Sequence, residues 1–247
     1  MLSKAKIKEI RALELKKFRD NQNLFVAEGS KCVACMLPSF ECERLIATAQ
    51  WITTQSKIPA NEVIEADNDD IRKVSFLKAP QDVIAIFRKP QYALEEADPA
   101  SQLILALDDI QDPGNLGTII RIADWFGIEH IVCSPDTADA FSPKTVQATM
   151  GALARVKIHY TDLHDYLMKN NAVPVYGTFL SGSNIYQTKL TPHGILIMGN
   201  EGNGIHSESE SLITKRLHIP PYPIHHQTTG SLNVAVATAI ACAEFRR

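Results

Sequence analysis

Three stretches of this sequence carry residue types that could do chemistry, and each follows an apolar run. The first reads Asp108-Asp109-Ile110-Gln111-Asp112-Pro113-Gly114-Asn115-Leu116-Gly117-Thr118-Ile119-Ile120-Arg121. Gly114 and Gly117 permit a tight turn and close backbone approach, Asn115 suits a helix cap, and Arg121 lies further along that helix. The second, Gly199-Asn200-Glu201-Gly202-Asn203-Gly204, follows Ile195-Leu196-Ile197. Its glycines let backbone N–H and C=O groups face a ligand, and Glu201 is its one ionisable side chain. The glycine spacing matches neither the dinucleotide fingerprint nor a P-loop, which ends in Gly-Lys-Ser/Thr. The third pairs Ile219-Pro220 with Ser231-Leu232-Asn233 at the opening of a final helix, whose unpaired N–H groups could be capped or could bind a polar ligand. Taken singly, each stretch is also explained by turn and cap residues.

The elements that must position these residues are strands and helices in alternation. Continuous apolar runs at residues 103–107, 130–133, 156–160, 173–179 and 194–198 suit strands buried on both faces, with helical spacings between them. A parallel sheet covered by helices follows, and such sheets bind ligands beyond the C-terminal ends of their strands. In the first ninety residues, β-type runs at 23–29, 44–47, 62–66 and 82–88 alternate with helices, one opened by Ser30 and one by Asp67–Asp70. These predict a small α/β domain over residues 1–90. Residues 91–101, polar and acidic, read as a linker, and residues 102–247 as a second domain. The alanine-rich segment 231–247 is apolar nearly all round and predicts a buried helix, packed in part against a partner chain.

With 247 residues and 45% hydrophobic content, the chain can bury a core, which excludes disorder, collagen and coiled coil as its main state. No run approaches about 18 apolar residues, and the charged N-terminus lacks a signal sequence, so neither membrane nor export is expected. Five cysteines fit a reducing compartment, hence the cytoplasm. The net charge of −3 argues against a general nucleic-acid coat. A local basic run remains, in which Lys4, Lys6, Lys8, Arg11, Lys16, Lys17 and Arg19 outnumber Glu9, Glu14 and Asp20. That run reads either as a solvated helix face or as an RNA contact.

Together the three stretches resemble the motifs of the SpoU, or TrmH, family of S-adenosylmethionine-dependent RNA ribose 2′-O-methyltransferases of the SPOUT superfamily. The resemblance rests on Asn115-Leu116-Gly117 with Arg121, then Gly199-x-Glu201-x-x-Gly204, then Ile219-Pro220 with Ser231-Leu232-Asn233-Val234. Residues 142–152 resemble the family's middle helix. The first ninety residues resemble its small substrate-binding domain, most clearly at Phe25-Val26-Ala27-Glu28-Gly29.

The resemblance implies an α/β fold whose parallel sheet ends in a C-terminal deep trefoil knot, preceded by a small α/β RNA-binding domain. It implies that S-adenosyl-L-methionine is held by Thr178, Gly199, Asn200, Glu201, Ile219 and Leu232, largely through backbone. Arg121, Asn115, Glu201, Ser231 and Asn233 take the catalytic positions, with Arg121 either the base or an anchor for the adjacent phosphate and ribose. No metal is implied. A homodimer acting on RNA is expected, ribosomal rather than transfer RNA, because transfer-RNA members often lack the extra α/β domain. Where family members carry a short loop with methionine and glycine, this chain has Pro221-Tyr222-Pro223-Ile224-His225-His226-Gln227-Thr228-Thr229-Gly230.

Two rivals stand beside this reading. One is a non-catalytic RNA-binding or ribosome-assembly protein with the same knotted fold. The intact Arg121, Glu201 and Asn233 speak against it and the 221–230 loop speaks for it. The other is a nucleotide-binding enzyme of ordinary doubly wound topology. Cys32-x-x-Cys35 reads as buried thiols, His225-His226 as a solvated loop, and Trp125 and Phe126, at helical spacing from Ile122 and Ile119, as core.

Overall fold

The short β-branched and aromatic runs of the first ninety residues make one sheet, and the longer apolar runs after residue 102 make another. The computed structural model describes residues 2–223 and 230–247, and the chain divides into two units. The N-terminal unit opens with α1 (Lys4–Ala12), capped by the Ser3 hydroxyl, which accepts from the Lys6 N–H, and α2 (Lys16–Gln22), which ends where Asn23 turns left-handed at φ 54°. Then follow β1 (Leu24–Glu28), α3 (Ser30–Met36), β2 (Cys42–Ala47), α4 (Ala49–Thr53), β3 (Ala60–Glu65), α5 (Asn68–Val74) and β4 (Val83–Arg88). The strand order is β1-β4-β2-β3, antiparallel except between β2 and β3. Ile10, Val26, Ile46, Ile71 and Ile84 form its apolar core. Gly29, not Ser30, occupies the cap position of α3, and the Ser30 hydroxyl instead accepts the Trp51 indole N–H at 3.0 Å.

The second unit begins with residues 92–101, which are ordered against it: Ala97 is buried and its carbonyl accepts the Tyr166 hydroxyl at 2.7 Å. It continues with β5 (Leu103–Asp108), α6 (Pro113–Trp125) and β6 (His130–Cys133). After α7 (Pro143–Thr149) come β7 (Lys157–Tyr160), α8 (Leu163–Lys169), β8 (Val175–Phe179), β9 (Ser183–Asn184), β10 (Gly194–Gly199), α9 (Ser207–Glu210), β11 (Lys215–His218) and α10 (Val234–Phe245). The seven strands lie in the order β7-β6-β5-β10-β8-β11-β9, every pair parallel. Strands β5 and β10 therefore meet at the point where the order reverses, and Asp108 and Gly199 pair at their C-terminal ends. Open parallel sheets bind ligands at such a point.

Residues 139–155, including α7, pack in the N-terminal unit rather than with the second half of the chain. Two contacts within that unit explain this. The buried Arg19 guanidinium donates to Asp139 at 2.6 Å, and the Phe141 ring lies 5.1 Å from Phe25. Burial pushes the thiols of Cys32 and Cys42 up to about 12, so both stay protonated and act as small apolar groups.

Candidate active site

The Asp112 carboxylate, followed by Pro113 at the first helical turn, caps α6 by accepting the Asn115 N–H at 2.8 Å. Asn115 is thus the capped residue and not the cap, which leaves its side chain available. At the other end of the chain, Asn233 rather than Ser231 caps α10, its Oδ1 accepting from Ala235 and Val236. The 199–204 loop brings Glu201 to both helix starts. Glu201 Oε1 accepts Asn233 Nδ2 at 2.7 Å, the Val234 N–H at 3.0 Å and Asn115 Nδ2 at 3.1 Å. Asn233 Nδ2 also donates to Asn115 Oδ1 at 3.0 Å. A carboxylate at the first N–H of α10 also complements the positive end of the helix dipole.

The loop has a rigid base. Asn200 and Gly204 exchange backbone hydrogen bonds at 2.9 Å in both directions. A Cβ on Gly199 would lie 2.5 Å from the Gly204 carbonyl carbon, so the closure requires glycine there. Asn200 Oδ1 accepts the N–H groups of Gly202 and Asn203, while its Nδ2 donates to the Asp109 carbonyl at 2.8 Å. The far end of the loop is held by the neighbouring acid. Asp108, only 2% exposed, accepts the His206 N–H at 2.9 Å and lies 2.6 Å from His206 Nδ1. That carboxylate raises the His206 pKa above its ordinary value.

A cavity of about 1460 Å³ opens beside this loop. Thr178, Gly199, Asn200, Glu201, Ile219, Ser231 and Leu232 all line it, so seven of the residues singled out from sequence share one space. Met198, Pro220 and Ile240 add apolar wall, and Arg216, His218, Tyr186 and Tyr222 add polar and aromatic groups. Asn115 and Asn233 adjoin it through Glu201. Arg121 does not line it: the side chain is exposed on α6, with no hydrogen bond or ion pair among the described residues. His225 and His226 lie outside the described residues.

Sequence reasoning passed over Asp108, Asp109 and His206 as anchors of the loop. The available signal was a pair of acids ending a fully apolar strand, where a buried carboxylate needs a partner. It also placed Trp125 in the core, whereas Trp125 is 84% exposed on α6. The final helix is buried on one side only, with Leu232 and Val236 exposed at its start. The basic run is partly consumed by structure: Lys6 pairs with Glu62, Arg11 donates to the Ser75 carbonyl and Arg19 is buried.

The strand order, the three-residue junction and the cavity define an α/β ligand-binding unit beside a second, smaller unit, and comparison with known proteins gives its class. Residues 102–243 match the model of the SpoU rRNA Methylase family, and residues 4–85 that of the MRM3-like substrate binding domain. The chain belongs to the SpoU rRNA methylase family. It is 32% identical to the 23S rRNA (guanosine(2553)-2′-O)-methyltransferase RlmP of Bacillus subtilis, over 98% of this chain and 96% of that one. Among solved structures it resembles a TrmH-family protein from Porphyromonas gingivalis, at 42% identity and TM-score 0.90, covering 100% of this chain and 98% of that one. It also resembles the AdoMet-bound rRNA methyltransferase from Sinorhizobium meliloti, at 32% identity and TM-score 0.88, covering 100% and 95%.

Proposed function

We propose that this protein transfers a methyl group from S-adenosylmethionine to a ribose 2′-hydroxyl of ribosomal RNA. The observation that carries the reading is the meeting of Asn115, Glu201 and Asn233 at the wall of the cavity. The residues present fit the cofactor: Met198, Ile219, Leu232 and Ile240 offer an apolar slot for a purine, backbone at 199, 219 and 232 its polar partners, and Glu201 an acid for a cation.

When bound, the cofactor supplies an electrophilic methyl on a sulfonium. The chain's own residues orient and neutralise. Glu201, Asn115 and Asn233 hold the two helix starts and the 199–204 loop in fixed relation, the rigidity that orienting a donor against an acceptor would need. Thr178, Gly199, Asn200, Ile219 and Leu232, which line the cavity, would hold the donor, and Ser231 would face the acceptor. A guanidinium ordinarily keeps its proton in water, so we assign Arg121 to hold the phosphate next to the target ribose and so orient the 2′-hydroxyl.

We infer the family's trefoil knot for the C-terminal part of the chain, supported by the return of Asn233, beyond β11, to Asn115 and Glu201. A homodimer is supported by the exposed Trp125, Leu232 and Val236 on or beside α6 and α10, which pack together. A partner would bring its own groups towards the exposed Arg121. The N-terminal unit would present RNA through Lys4, Lys8, Lys16 and Lys17. The free cysteines fit the cytoplasm, and no helix among the described residues is long and apolar enough to cross a membrane.

Calorimetric titration tests the cofactor. S-adenosylmethionine should bind and NADH should not; the reverse would assign an ordinary dinucleotide enzyme. A protein that binds both S-adenosylmethionine and RNA but yields no methylated product would be an assembly factor instead.

A further inference from the structure

The loop that carries Glu201 is fastened at its two ends to adjacent residues at the end of β5. Asn200 Nδ2 donates to the Asp109 carbonyl, and His206 reaches Asp108 twice, through its backbone N–H at 2.9 Å and its ring Nδ1 at 2.6 Å. The two fastenings differ in kind. The asparagine contact is indifferent to pH near neutrality, whereas the histidine contact joins a buried carboxylate to an imidazole whose side chain is 54% exposed and open to protons from solvent. Between them the chain closes on itself through the Asn200 and Gly204 backbone pair, which braces the loop between its two anchors.

We propose that Asp108 and His206 form a pH-sensitive clamp that positions the 199–206 loop and thereby sets the affinity of the cavity for S-adenosylmethionine. The inference rests on the cofactor reading given above. His206 is a positioning residue, since it acts through Glu201, which joins Asn115 and Asn233 to the loop. Asp108 and Asp109 at the end of β5 and Asp136 after β6 all favour its charged form, and Glu208 lies two residues along its own segment. Nothing cationic opposes it among these groups. At low pH the imidazolium and the Asp108 carboxylate form an ion pair. As pH rises through the elevated pKa of His206 the imidazole loses its charge, the ion pair becomes a hydrogen bond from a neutral ring to the carboxylate, and the second anchor loosens.

The test measures S-adenosylmethionine affinity by calorimetry between about pH 6 and about pH 8, where imidazole titrates. For wild type the Kd should weaken with rising pH by about twofold to fivefold, the range for an ion pair screened by solvent on its imidazole side. His206→Asn keeps a donor facing Asp108 but cannot titrate, so only the pH dependence of the cofactor's own α-amino group should remain. His206→Leu should show the same reduced slope and bind no more tightly than wild type at high pH. A flat wild type, or either variant keeping the wild-type slope, overturns the proposal.

The imidazole can also be followed directly by NMR. The His206 pKa should fall in Asp108→Asn and rise when S-adenosylmethionine is bound, because coupling between two equilibria is reciprocal. Failure of S-adenosylmethionine to bind any variant at any pH would refute the cofactor reading and the affinity claim together. An unchanged His206 pKa in Asp108→Asn would refute the clamp alone.

Discussion

Asn233 Nδ2 donates to Glu201 Oε1 across 2.7 Å, joining positions 32 residues apart at the start of the last helix. The same carboxyl oxygen accepts from Asn115, 86 residues earlier. Glu201→Ala strands three donors, and since they are partly hydrated the cost should be modest, about 1 kcal/mol of stability. S-adenosylmethionine affinity should drop more, by about tenfold, because the loop also walls the cavity. Glu201→Gln should fall between, and calorimetry with urea unfolding would separate the two effects.

Arg121 is exposed and unpaired among the described residues, so its removal should leave the fold and the cofactor site intact. Arg121→Ala should reduce methyl transfer by about a hundredfold or more, the scale for losing one transition-state contact, with an unchanged S-adenosylmethionine Kd. Normal turnover in that variant would remove Arg121 from the mechanism.

Arg19 and Asp139 tie residues 139–155 into the N-terminal unit. Their side chains are 3% and 10% exposed, and Arg19 Nη1 also donates to the carbonyls of Leu13 and Glu14. Asp139→Ala leaves a buried cation without its carboxylate and should cost about 3 kcal/mol, read from urea denaturation. Lys6→Ala, whose partner Glu62 is solvated, should cost far less.

His130 and His159 stack with ring centroids 5.3 Å apart and Nδ1 to Nε2 at 3.0 Å. Burial lowers both pKa values, that of His159 to about 4, with the neighbouring His130 acting in the same sense. The unfolded chain therefore binds more protons than the folded one between the ordinary histidine range and about pH 4. Stability should decline as pH falls through that window, and His159→Gln should flatten the decline in urea unfolding followed against pH.

If the N-terminal helices meet RNA, the exposed lysines that make no side-chain hydrogen bond among the described residues should carry the effect. Exchanging Lys4, Lys8, Lys16 and Lys17 for glutamine should weaken RNA binding and reduce the salt slope by about 0.7 for each phosphate that is no longer neutralised. Lys6→Gln should change little, because Lys6 already pairs with Glu62. An unchanged slope in the fourfold variant would return the run to a solvated face.

The central strands were legible because burial on both faces demands unbroken apolar runs, as in Leu103–Asp108 and Gly194–Gly199. The site was legible because its residues are types that only turns, caps or ligands require. What escaped depends on tertiary context. In Asp112-Pro113-Gly114-Asn115 two residues could cap, and proline at the first helical position selects Asp112. Trp125 continues an apolar helical spacing, yet periodicity cannot tell a core face from a face left for another chain. The strand Lys215–His218 hides because Leu217 is its one fully buried residue. Residues 139–155 pack in the first unit through Arg19 and Phe25, partners more than a hundred positions away.

The most direct measurement follows methyl-labelled S-adenosylmethionine into RNA from cells lacking this protein. Methylation of a ribose 2′-oxygen protects the adjoining phosphodiester from alkali, so label should appear in alkali-resistant dinucleotides of ribosomal RNA and vanish with Arg121→Ala. Label recovered in mononucleotides, on the bases, would contradict the account.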